Sequence, residues 1–132
     1  MAEKTMHKAH LDSAQTHVHG KITKQVVKID SVVVTKWTYD QGAKWSEHMK
    51  EYAGTESCLV PCVGYVLSGT IAVRSDSGEE ELFAAGDVMM LPPGYDAWNP
   101  GSEPCSYVEF SKGDDYYKDV TPPWTHFPWQ YE

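Results

Sequence analysis

Cysteine, positive charge and long apolar runs are all scarce in this chain. Only three of its 132 residues are cysteine: Cys58, Cys62 and Cys105. A small, odd number argues against a disulfide framework and fits a compartment where thiols stay reduced. Lys and Arg number 11 against 19 Asp and Glu, a formal charge of −8. That balance repels nucleic acid and anionic membranes, so neither is expected as a partner. No apolar run approaches the roughly 20 residues that span a bilayer. The polar stretch from Met1 to Gln15 has no apolar core of the signal-peptide kind. The expected location is the cytoplasm. G-x-S-x-G, a P-loop and H-E-x-x-H are also missing, and with them three common catalytic and nucleotide-binding signatures. No stretch sustains a helical repeat, so little helix is expected.

What is present reads as short strands cut by turns. Residues 1–20 are polar, with His7, His10, His17 and His19, and read as an arm. From Lys21 to Tyr39 the chain is rich in β-branched and aromatic residues. Ala43 to Ser57 is polar and reads mostly as loop. Strands are then expected near 59–75, 79–91 and 95–111. Gly69, Ser75-Asp-Ser-Gly78, Ala84-Ala-Gly-Asp87 and Pro92-Pro-Gly94 punctuate them. Turn signals every 8–12 residues or so indicate a sandwich or barrel at residues 21–111. Residues 112–132 hold six aromatics, Tyr116, Tyr117, Trp124, Phe127, Trp129 and Tyr131. Leaving so much aromatic surface in water is costly, so this tail is expected to dock on the barrel or on a neighbouring subunit.

Two spaced patterns carry a family resemblance. Gly42 is followed after five residues by His48, and Cys62 is followed after six by Gly69. Gly86-Asp-Val-Met-Met-Leu-Pro92-Pro93-Gly94 keeps a second glycine–proline–glycine spacing. Trp45-Ser-Glu-His48, Gly54-Thr-Glu-Ser-Cys58, Gly64-Tyr-Val-Leu-Ser-Gly69 and Pro92-Pro-Gly-Tyr-Asp-Ala-Trp98 add local similarity. In this order the segments resemble small single-domain bacterial cupins, over about Lys36 to Phe110. The resemblance implies an all-β double-stranded β-helix, a jelly-roll barrel, with a pocket inside. It names no substrate.

The same resemblance implies a divalent metal held by three His and one Glu. Carried over by position, only His48 keeps its chemistry. Lys50 stands at the second His, Cys62 at the Glu and Ala97 at the last His. The intact set is therefore not expected. Two readings stay open. One is a remodelled site with His48 and Cys62, with Tyr95 or Cys58 as a further candidate ligand, suited to Zn, Cu or Fe. The other is a pocket for an organic molecule without that metal. His17 and His19 share a strand face and form a weaker metal candidate. Cys58-x3-Cys62 lacks a second short-spaced Cys/His pair and is a weak signal.

Strand alternation places Cys62, Gly64 and Val66 on one face and Val63, Tyr65 and Leu67 on the other. If the first face lines the interior, the second is an apolar exterior. Val88-Met-Met-Leu91 is apolar on both faces. These exteriors are expected to meet in a homodimer. Trp45, Tyr95, Trp98 and Tyr107 are the candidate ligand-binding residues, since aromatics near an opening can stack an organic molecule. Three functions follow: a small-molecule-binding barrel, a metal-dependent isomerase, lyase or oxygenase, or a structural, partner-binding barrel.

Overall fold

Pairing between distant strands builds the molecule. The computed structural model describes residues 5–59 and 61–111, and the aromatic tail lies outside them. Nine strands follow in order: β1 (Gln15–His19), β2 (Ile22–Ile29), β3 (Val32–Tyr39), β4 (Cys62–Ser68), β5 (Thr70–Ser75), β6 (Glu80–Ala84), β7 (Val88–Leu91), β8 (Tyr95–Trp98) and β9 (Cys105–Ser111). Two single-turn helices, α1 (Trp45–His48) and α2 (Lys50–Ala53), interrupt them. A six-stranded sheet has the order β1-β2-β3-β9-β4-β7, and a three-stranded sheet the order β6-β5-β8. Every pairing between these strands is antiparallel. Among the described residues no helix is long and apolar enough to cross a membrane.

Local chemistry explains the connections. Ile29 faces Val32, so β2 and β3 are joined by the two-residue turn Asp30–Ser31, with Asp30 at φ +53°. Gly69 joins β4 to β5 at φ +71°, and a Cβ there would stand 2.5 Å from the Pro104 carbonyl oxygen. Only glycine meets both demands without strain. Asn99 closes the β8–β9 loop. Its amide donates to the Tyr39 and Glu103 carbonyl oxygens, and its side-chain oxygen accepts from the Gly101 N–H.

Two sequence expectations change. Residues 15–19 were expected within the polar arm but form β1, because hydrogen bonds to β2 outweigh their modest polarity. Residues 43–57, expected mostly as loop, contain α1 and α2. Helix α1 lacks a side-chain cap from its own Lys44. Instead Asp96 on β8 accepts hydrogen bonds from the Ser46 N–H (3.0 Å) and hydroxyl (2.8 Å). A tertiary contact thus supplies the cap, which local sequence could not announce.

Inward side chains of both sheets form one buried cluster. Alternation along β4 is regular: Cys62, Gly64 and Val66 are buried, while Val63, Tyr65 and Leu67 are exposed. The β8 strand buries Tyr95 and Ala97 and turns Asp96 and Trp98 outward.

Candidate functional site

The barrel interior is unusually rich in polar-tipped residues. Strand β3 contributes Trp37 and Tyr39, β9 contributes Tyr107 and Glu109, β4 contributes Cys62 and β8 contributes Tyr95, all buried. Cys58, just before β4, is buried beside them and bridges to Tyr95 through backbone hydrogen bonds. Trp37 and Tyr107 lie face to face with centroids 6.3 Å apart, and Tyr39 is 6.0 Å from Tyr107.

Glu109 is the one carboxyl in the six-stranded sheet, and it points inward. The Trp37 indole N–H donates to it. Burial raises its pKa, while the Trp37 hydrogen bond and the Lys24 charge pull it back. Lys24 stands 4.9 Å over the Trp37 ring, so carboxyl, indole and ammonium form one chain of interactions. Burial also pushes the Cys62 thiol well up, with the Glu109 and Cys58 charges adding to it. Tyr39, Tyr95 and Tyr107 are likewise raised, chiefly by burial. Tyr39 and Tyr107 hydrogen-bond to each other through their side chains, and a nucleophilic thiolate is disfavoured at Cys62.

A groove of about 400 Å³ opens where the sheets part, between β6 and β7. Buried Val73, Leu91 and Tyr95 and half-buried Phe83 form its base. Exposed Leu82, Val88 and Met90 also line it, and exposed Glu79, Glu81 and Asp87 make its rim acidic. Asp87 is partly engaged, accepting from the Ala84 N–H at 2.8 Å.

The sequence candidates fall in different places. Tyr95 is at the groove base and Tyr107 is in the interior aromatic cluster. Trp45 is buried in α1. Trp98 faces away from Tyr95, under the Lys44 ammonium at 5.5 Å. His48 sits at the end of α1 against the β1–β2 turn, where a Cβ on Gly20 would fall 2.3 Å from its Nδ1. Cys62 lies instead among Gly64, Met89 and the interior polar groups. His17 and His19 share a face of β1. The His19 ring lies 4.1 Å from Tyr52, and its Nε2 is buried with no hydrogen-bond partner. Burial, then Lys24 and His17, lower the His19 pKa. Sequence reading missed Glu109, Trp37 and Tyr39. Period-two alternation with Tyr107 could have flagged Glu109 as a lone acid on an inward face.

No family model matches the chain, and no curated protein matches it. Solved structures do match. An RmlC-like cupin from Shewanella frigidimarina superposes with TM-score 0.59 at 19% identity, over 84% of this chain and 96% of that one. KdgF from a Halomonas species gives TM-score 0.61 at 20% identity, over 84% and 97%. A sugar phosphate isomerase of the cupin superfamily from Silicibacter pomeroyi gives TM-score 0.61 at 17% identity, over 86% and 82%. The chain has the cupin fold. At these identities the likeness carries the fold alone.

Among the described residues this cupin barrel does not bring together the three-His, one-Glu donor set. The described interior holds thiols, phenols and one carboxyl, and burial raises the Cys62 pKa. The position of the last His is Ala97, only 1% exposed. Lys50 points to Glu56, with Nζ 2.8 Å from Oε1. Among the described residues no three His, Cys, Asp or Glu side chains are placed to hold a metal ion. The donor chemistry thus does not fit the metal that the fold resemblance implies.

Proposed function

We propose that this cupin barrel binds a small organic cation with an apolar body in the groove between β6 and β7. The observation that carries the reading is the pairing of an apolar, aromatic base with a carboxylate rim in one groove of about 400 Å³. That volume falls in the range of small-molecule sites, about 300–1,000 Å³. Phe83 and Tyr95 offer ring surface to an apolar body. Glu79 and Glu81 offer charge to an ammonium at the mouth. The raised pKa values of the interior Cys and Tyr favour binding over nucleophilic chemistry.

The test is titration calorimetry with matched aryl-alkyl amines and aryl-alkyl carboxylates. The amine is expected to bind at least about tenfold tighter, a gap of roughly 1.4 kcal/mol. Changing Glu79 and Glu81 together to Gln is expected to close most of that gap. Equal affinity for the two series, or binding of neither, would overturn the reading.

A further inference from the structure

Among the described residues, one buried side-chain nitrogen or oxygen lacks a hydrogen-bond partner: Nε2 of His19. Such an orphan inside a folded chain is costly, and a bound ion or water commonly meets it.

The strand register shows what surrounds it. Strand β1 is an edge of the six-stranded sheet, and residues directly opposite in antiparallel strands share a face. One row runs His17, Lys24, Trp37, Tyr107 across β1, β2, β3 and β9. The next runs His19, Ile22, Tyr39, Cys105. Trp37, Tyr107, Ile22, Tyr39 and Cys105 are buried, so both rows lie on the inner face. Toward the edge the rows turn basic, and His17, His19 and Lys24 are half-buried there. Opposite side chains start only about 4.5–5.5 Å apart, so His17 and Lys24 are immediate neighbours. Tyr52 of α2 covers one side of the recess, with its ring 4.1 Å from that of His19.

Three basic groups thus meet without an acid. Apart from burial, the charges that lower the His19 pKa are those of Lys24 and then His17, and no carboxylate offsets them. Among the described residues no carboxylate forms an ion pair with His17, His19 or Lys24. Glu109 feels the Lys24 charge, but the Trp37 indole already donates to it. Glu47 of α1 and Glu51 of α2 are exposed to solvent. In a chain of −8 this recess is a local exception. A metal ion fits it poorly. The Lys24 ammonium stands against a cation, and no third His, Cys, Asp or Glu among the described residues completes a donor set. An oxyanion fits it well. Imidazole N–H groups and an ammonium are donors, and their charge-assisted hydrogen bonds to carboxylate or phosphate are strong ones.

We propose that His17, His19 and Lys24 bind a small oxyanion, a carboxylate or phosphate group, on the inner face of β1 and β2 at the sheet edge.

The test is the imidazole nitrogen–proton spectrum of the full chain, titrated with sodium phosphate and with sodium acetate at constant pH and ionic strength. The His17 and His19 resonances are expected to move and saturate, while those of exposed His7 and His10 stay. Saturation by phosphate alone assigns a phosphate group, by acetate alone a carboxylate, and by both the chemistry they share. Lys24→Gln and, separately, His17→Gln are each expected to raise the dissociation constant at least about fivefold, by removing one charge-assisted donor. Lys28→Gln, exposed on the same strand, is expected to leave it unchanged. Resonances of His17 and His19 that follow neither anion overturn the proposal. So does a loss as large in Lys28→Gln as in Lys24→Gln, which would mean loose counter-ions. Saturation of the pair by nickel but by neither anion also overturns it, since the histidines would then be metal ligands.

Discussion

Glu109 and Trp37 set the electrostatics of the interior. A carboxyl buried among aromatics is disfavoured when charged, and one indole donor and a nearby ammonium only partly offset this. Its folded-state pKa is therefore above the ordinary 4.5. The folded form holds the proton longer than the unfolded chain. The resulting stabilisation is full below pH 4.5 and is lost as pH rises through the folded value. Glu109→Gln keeps the shape and an acceptor for Trp37 but removes the charge. The variant is expected to match the parent near pH 4 and to become the more stable of the two toward neutral pH. Urea unfolding at a series of pH values measures this; a constant offset between the two would contradict it. Trp37→Phe removes the donor and strands the carboxyl. It is expected to cost about 1–3 kcal/mol at neutral pH, read from the same unfolding curves.

Elements of this barrel were legible where chemistry is local. Val, Ile and Thr runs announced β2 to β4, and the Gly and Pro clusters announced the turns between them. Alternation alone put Cys62, Gly64 and Val66 on one face, but did not say that this face is the interior. The sheet to which each strand belongs was not legible, because a period of two does not name a partner. Tyr39 meets Cys105, and Val34 meets Phe110, across more than half the described chain. Nor could His48 be placed, since α1 and the Gly20 turn aim it, and α1 itself depends on Asp96. Asp96→Ala is expected to uncap α1 and to cost about 1–2 kcal/mol, as loss of an N-cap does. A urea midpoint equal to the parent's would show that α1 does not need the cap. Gly69→Ala is expected to exceed the roughly 1–2 kcal/mol of a left-handed alanine, because Pro104 blocks the added methyl. A lowered thermal midpoint larger than that of Asp96→Ala checks it.

At the scale of the whole molecule, charge and apolar surface are segregated by sheet. The larger sheet is nearly free of acids outside, while β6, β8 and the turns Asp76 and Asp87 carry them. This division concentrates negative charge at the groove and fixes the sign of a salt effect. Raising salt from 0.01 M to 0.15 M shrinks the screening length from about 30 Å to about 8 Å. Amine binding at the carboxylate rim is therefore expected to weaken over that range as salt screens Glu79 and Glu81, measured by titration calorimetry at each salt concentration. An affinity that stays constant with salt would mean that the apolar lining, and not the rim carboxylates, holds the ligand.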